Sequence, residues 1–377
     1  MTHRERLLAA LSHQQPDKVP IDLGGTIDSS IMVEGYERLK EHFRIEEKTK
    51  ISHRMMRIVE PDEKILQALD IGTRCVIGGP PMKGVEELGP NRYRDQWGLE
   101  WEKSEHCYYY EQRNFPLSGE ITISDIVRYP WPDPDDPGLV RGYKERVQWI
   151  RENTDCAAVL DLGSPIIHFS QYLRGFEDWY VDFALNPKLI EALFDAILEV
   201  TLQIAKRRLK EIGQAVDVMV VSEDLGAQNG LQVSYDDYLK YIKPRFEKFF
   251  RQAHDLSPAK LLLHSCGSVA SVIEDLIGIG VEALNPVQVS AAGMDPVELK
   301  RKYRGRMAFW GAMDTQTVLP RGSVEDVEKM VEDRIEQMGE GGGYVLAAVH
   351  NIQPDVPLEN ILAMFRYARE YIPSYMK

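Results

Sequence analysis

The chain has 377 residues, 44% of them hydrophobic and 28% charged, with 45 Lys and Arg against 59 Asp and Glu and a formal net charge of −14. That length admits one large barrel or roughly two to three ordinary domains. The acidic balance argues against a nucleic-acid surface, and no apolar run approaches the roughly 20 residues needed to span a membrane.

Thr2 can cap a helix from about His3 to Ser12, with Leu7, Leu8 and Leu11 on one face. This amphipathic start lacks the apolar core and cleavage site of a signal peptide, so a cytoplasmic location is expected. Pro16 ends the helix, and Lys18–Gly25 reads as a strand running into a glycine turn. Helices are expected near Ile31–Phe43 and Asp62–Leu69, and Gly72–Gly79 is a second buried strand. The period then changes. Residues 91–116 alternate aromatic and polar side chains, which predicts two or three antiparallel strands inserted on one face. Tyr108–Tyr110 within it are expected to pack the hairpin rather than bind a ligand. From Ala157 onward, short apolar runs alternate with amphipathic helices.

Eight apolar runs emerge, near 18–23, 73–78, 157–162, 217–222, 260–264, 281–285, 306–311 and 343–348. Short buried strands separated by helices predict a parallel sheet. Eight such units predict a (β/α)8 TIM barrel, here a single domain over 1–377 with an N-terminal helix and the inserted hairpin. The hairpin serves either as a lid or as the contact surface of a homodimer, and its residues leave both open. No G-x-G-x-x-G turn supports an open doubly wound sheet.

Polar residues collect just past the strand ends, where barrel enzymes build their sites. Asp22 follows the first strand, and Asp161 and His168 the third. Glu223 and Asp224 follow the fourth, His264 and Cys266 the fifth, and Asn285 and Gln288 the sixth. Asp314 follows the seventh, and His350 and Asn351 the eighth. Residues i and i+2 of a strand share a face, so His264 and Cys266 can address one centre, with Gly267 turning the chain away. Of the four cysteines, Cys75, Cys107, Cys156 and Cys266, only the last has a ligand type beside it, and none forms C-x-x-C. Taken alone, H-x-C is more often a buried Cys beside a satisfied His. His350 supplies the missing third ligand. Two imidazoles and a thiolate leave an open position on a tetrahedral zinc, the catalytic arrangement. Such a centre lowers the pKa of a thiol or polarises an oxygen. Glu223 is a fourth ligand that substrate displaces, a base for the incoming group, or a carboxylate orienting His264. His168 is either a satisfied wall histidine, the commoner outcome, or a catalytic acid–base group. Asp22, Asp161, Asn285, Gln288 and Asn351 are the candidate substrate contacts. Asp314 reads as a cap.

RERLLAALSHQQPDKVPIDLGG, LRGFEDWYVDFALNP, SEDLGAQNG, LLLHSCGSV, ALNPVQ, GAMDTQTVLPRGSVEDV and HNIQPDVPLENI together resemble the uroporphyrinogen decarboxylase superfamily, and within it the cobalamin-dependent methyltransferase branch. The resemblance runs over nearly the whole chain and implies the barrel fold. It implies zinc held by His264 and Cys266, with His350 where the thiol methyltransferases carry a later Cys. It implies a methyl group passing between a small methylated donor or a thiol acceptor and a corrinoid carried on a separate protein. No D-x-H-x-x-G cobalamin segment occurs in this chain. The decarboxylases use an arginine-rich R-Q-A-G-R-Y segment, and Asp22–Asp28 stands in that region without an arginine. An acidic pocket there suits a polycarboxylate poorly. Methyl transfer is therefore the leading expectation. Decarboxylation of a smaller polycarboxylate and a non-catalytic corrinoid- or tetrapyrrole-binding barrel are the alternatives.

Overall fold

The computed structural model describes residues 1–377. Seven strands, Thr73–Val76, Ala157–Asp161, Val218–Ser222, Lys260–His264, Ala283–Asn285, Ala308–Met313 and Tyr344–Ala348, form one sheet in chain order, with every neighbouring pair parallel. Ile21 closes the ring. It bridges Leu346 in parallel, Asp22 N donates to Leu346 O (2.9 Å), and Gly72 N donates to Ile21 O (3.0 Å). The fold is thus a (β/α)8 barrel whose first stave is a single bridge rather than the strand expected over 18–23. Pro20 has no N–H to give a ladder, and the Gly24 turn follows at once.

Strand alternation sorts the core into two layers. Ala157, Val159, Val218, Val220, Leu262, Ala283, Ala308, Trp310, Val345 and Ala347 fill the barrel interior. Ala158, Leu160, Met219, Val221, Leu261, Leu263 and Leu284 face the surrounding helices. The interior cluster also contains Leu7 and Leu11. Helix His3–Leu11, held by a Thr2/Glu5 capping box, therefore plugs the floor of the barrel. Each of these leucines is at most 2% exposed, and burying one contributes about 2 kcal/mol.

The insert is larger than the sequence suggests. Four antiparallel strands, Glu86–Gly89, Arg92–Arg94, Glu100–Glu102 and Glu111–Gln112, form a separate sheet. Its Tyr93, Trp97, Leu99 and Trp101 pack on Leu173, Leu189, Leu193 and Ile197 of the barrel helices. A second hairpin, Lys50–His53 with Ile58–Glu60, was not foreseen, because its strands are short and carry no clean alternation. No helix is long and apolar enough to cross a membrane.

Candidate metal centre and cavity

Parity carries the barrel's inward face up to its mouth. His264 and Cys266 continue the register of Leu262, as Ser222 continues that of Val220 and Asn285 that of Ala283. Gly267 then adopts φ 84°, and a Cβ on it would lie 2.5 Å from the carbonyl carbon of Gly226, so only glycine fits this turn.

The ligand-type atoms of His264, Cys266 and His350 all lie within 4.8 Å of one another. Cys266 Sγ is 3.4 Å from His264 Nε2. Zinc bond lengths of about 2.0 Å to nitrogen and 2.3 Å to sulfur give a tetrahedral edge of about 3.5 Å, so this pair is already at coordinating separation. The tautomer also fits. Asn285 Nδ2 donates to Trp310 O (3.0 Å), which leaves its Oδ1 to accept from His264 Nδ1 at 2.5 Å and frees Nε2 as a lone-pair donor. Burial first, then the neighbouring His264, lowers the His350 pKa and favours the neutral, ligating imidazole. Burial, with Asp224 and Asp28 adding to it, pushes the Cys266 thiol up. A divalent cation reverses that preference. The donor set and its spacing fit zinc.

The carboxylates around this cluster are not those expected. Glu223 is fully buried and points away from it. Its Oε1 accepts from the N–H groups of Ile166 and Ile167, and its Oε2 from that of His168 (2.9 Å), so it caps the helix Ile167–Arg174. Its backbone N–H donates to His264 O (2.9 Å), but its carboxylate makes no hydrogen bond to the His264 imidazole and lies 3.7 Å from His168 Nδ1. Asp224 faces the site instead. Its Oδ1 accepts from Cys266 N (2.7 Å) and lies 4.0 Å from His264 Nε2. Asp28 Oδ2 is 3.6 Å from His264 Nδ1 and accepts from Ser222 Oγ (2.7 Å). The signal for Asp224 was present: two residues past inward Ser222, it shares that face, whereas Glu223 does not.

His168 lines the cavity beside Asp224. Ser164 Oγ donates to Ser222 O and so accepts from His168 Nδ1 at 3.0 Å, while Nε2 lies 3.4 Å from Asp224 Oδ2. Burial alone would lower its pKa. The Asp224, Glu223 and Asp28 carboxylates outweigh burial and hold it at about 9, so this imidazole is cationic at neutral pH.

The remaining candidates divide. Asp161 and Gln288 line a cavity of about 1440 Å³ above the cluster. Gln288 Oε1 accepts from Gly267 N (2.7 Å). Asp22 does not reach the cavity. Its carboxylate accepts from Gly25 N, Thr73 Oγ1, Ser29 Oγ and Trp310 Nε1, which consumes every acceptor site and ties the closing stave to the barrel. Asn285 orients His264 rather than contacting substrate space. Asn351 is buried, with Oδ1 accepting from Ser30 N (2.9 Å). Asp314 accepts from the N–H groups of Gln316, Thr317 and Val318 as a cap.

The two inserts wall the cavity. Ser52–Arg57 and Tyr93, Trp97, Trp101, Tyr109 and Tyr110 all line it. Tyr109 and Tyr110 thus face ligand space and are not mere hairpin packing. Tyr109 Oη accepts from Gln353 Nε2 (2.9 Å) across the mouth. Trp97 stacks on Phe169 at 3.9 Å, which fixes an aromatic wall beside His168.

The chain matches the uroporphyrinogen decarboxylase (URO-D) family over residues 109–371. Two relatives from Methanosarcina barkeri, the second from strain Fusaro, are each described as methylcobamide:CoM methyltransferase MtaA. The first is 25% identical over 231 residues, 60% of this chain and 62% of the relative, so the match spans less than two thirds of that protein. The second is 23% identical over 259 residues, 68% of each chain. A solved structure described as a methyltransferase from Methanosarcina mazei superposes with a TM-score of 0.68 and 18% identity, over 98% of this chain and 99% of that one, and shares its fold. The chain belongs to the uroporphyrinogen decarboxylase family.

Proposed function

Proceeding from that membership, we propose that this protein is a zinc-dependent, corrinoid-linked methyltransferase. The observation that carries the reading is the convergence of His264, Cys266 and His350, with the tautomer of His264 set by Asn285. When bound, zinc polarises the heteroatom that bears the methyl group, or lowers the pKa of a thiol that receives it. A corrinoid carried on a separate protein would supply or accept the methyl group, and the open mouth above His264, Cys266 and His350 is where it would be met. Asp224 steadies the Cys266 backbone and balances the charge of the cluster. His168, cationic beside Asp224, holds a proton at Nε2 for the heteroatom as its bond to methyl breaks. Gln288 keeps the turn after Cys266 in place, and the aromatic insert excludes water. The two relatives named as methylcobamide methyltransferases support the reaction class. The chain acts as a single cytoplasmic domain.

Decarboxylation of a polycarboxylate is disfavoured, because Asp28, Asp161 and Asp224 all line the cavity. The test is spectroscopic. Zinc-loaded protein is mixed with methylcobalamin and a panel of thiols, and separately with reduced cobalamin and methylated thiols, ethers and amines. Zinc-dependent demethylation or methylation of cobalt, absent in Cys266→Ala, supports the reading. No change at cobalt with any substrate, by protein that has bound zinc, contradicts it.

A further inference from the structure

Three arginines line the cavity: Arg54, Arg57 and Arg208. Arg54 is paired with Glu87 and Arg57 with Glu34. Arg208 has no carboxylate partner. It extends from helix Pro187–Ile212 to the mouth, where Nη1 donates to the backbone carbonyl of Asp161 (3.1 Å). Its Nε is buried without a hydrogen-bond partner. The side chain is partly exposed toward the cavity, and a buried N–H without an acceptor is costly unless a ligand completes it. Gly163, at φ 85°, lies beside the guanidinium, and a Cβ there would meet Nη1 in ordinary contact at 3.8 Å. Tyr143 adds a hydroxyl to the same wall.

The position relative to the metal cluster follows from the sheet. His264 is registered against Ser222, and Ser222 N donates to Gly163 O (3.3 Å). Gly163 therefore stands two strand spacings from His264, about 10 Å across the mouth. Phe169 and Tyr172 line the cavity beside His168 in the helix that follows Gly163.

We infer that Arg208 anchors the acid group, carboxylate or sulfonate, of a small organic acid whose other end reaches the His264–Cys266–His350 cluster. The guanidinium fork matches such a group bidentately. One unpaired cation suits one acid group and not several. Burial, outweighing the pull of Arg208, raises the Asp161 pKa and so weakens its competition for the guanidinium. The identity of the far end as methyl donor or thiol rests on the function proposed above, whereas the anchor itself does not.

Calorimetric titration of wild type tests this with two matched pairs, benzoate against benzyl alcohol and 2-mercaptoethanesulfonate against 2-mercaptoethanol. At least one anion is expected to bind about tenfold or more tighter than its neutral partner. Benzoate selectivity marks an acidic methyl donor, and sulfonate selectivity an acidic thiol. In Arg208→Gln the ratio falls to about twofold or less, and in Arg208→Lys, which keeps the charge but loses the fork, it falls partway. Circular dichroism checks the fold, and Arg208→Lys carries the test if Arg208→Gln does not fold. No anion preference in wild type, or an unchanged ratio in the folded variants, overturns the anchor. Zinc content is measured on the same samples. Anion selectivity without zinc uptake removes the metal reading and leaves the anchor, and zinc uptake without selectivity does the reverse.

Discussion

Two clusters in this barrel bring three ligand-type side chains within 4.8 Å, one at the mouth and one at the floor. At the floor, His3, Asp155 and Cys156 are already engaged with one another and with Asp70 and Ile71. His3 Nδ1 is 2.8 Å from Asp155 Oδ1, its Nε2 is 3.0 Å from Asp70 Oδ1, and the Cys156 thiol points at Ile71 O (3.6 Å). These contacts pin the plugging helix to the strand ends. At the mouth, Asn285 engages His264 Nδ1 and leaves Nε2 facing the Cys266 thiol at 3.4 Å, while Asp28 and Asp224 stand 3.6 and 4.0 Å from the imidazole. Proximity of ligand atoms is common to both. Unspent lone pairs aimed at one point are found only at the mouth, and that distinguishes a metal site from a structural pin.

The largest effect expected from this contrast is on metal content. Cys266→Ala or His350→Ala should reduce zinc from about one per chain to under about 0.1 on purification, because a tetrahedral site loses a third of its protein ligands. His3→Gln should retain full zinc, and plasma emission analysis of the three variants would break the comparison if His3→Gln lost it. Next is Asn285→Leu, which removes the partner that holds His264 in its ligating tautomer. Zinc affinity should weaken about 10- to 100-fold, as read by competition with a chromogenic chelator. His3→Gln should instead lower stability by about 1 kcal/mol in urea unfolding, as expected for a partly exposed pair.

The smallest expected effect, on pH dependence, has opposite signs at the two clusters. The Asp70 hydrogen bond, opposed by burial and joined by Asp155, raises the His3 pKa above 6.5. Its stabilisation is complete below pH 6.5 and fades as pH rises through the raised value. Asp70, lowered from 3.8 chiefly by His3, contributes above that value and fades as pH falls. The floor pin is therefore strongest between about pH 4 and 6.5, and the difference in stability between wild type and His3→Gln should shrink toward pH 9. Zinc affinity at the mouth should rise with pH over the same range, because protons compete for imidazole and thiolate.

Most of this contrast is written in strand parity. The H-x-C pair, the eight-fold rhythm and His350 are local signals, legible because a strand's period fixes which side chains share a face. Asp224 is equally legible by that rule, whereas the role of Glu223 is not, because its three N–H partners come from a helix start more than 50 residues earlier in the chain. Asp22 looked like a site residue for a related reason. A carboxylate at a strand end reads the same whether it meets substrate or four internal donors, and only the tertiary partners Thr73 and Trp310 decide. The aromatic walls and Arg208 were beyond reach. Tyr109, Trp97 and Arg208 become neighbours of the mouth through an inserted sheet and the reach of a long helix, neither of which has a periodic signature that points inward.

The central claim is that the mouth cluster is a zinc site with one sulfur ligand. X-ray absorption at the zinc K edge of purified wild-type protein tests it most directly. The account predicts one sulfur at about 2.3 Å with two imidazole nitrogens at about 2.0 Å, and one further light-atom position open to exchange when a thiol is added. Bound zinc without any sulfur scatterer, or no zinc in folded protein supplied with the metal, would contradict it.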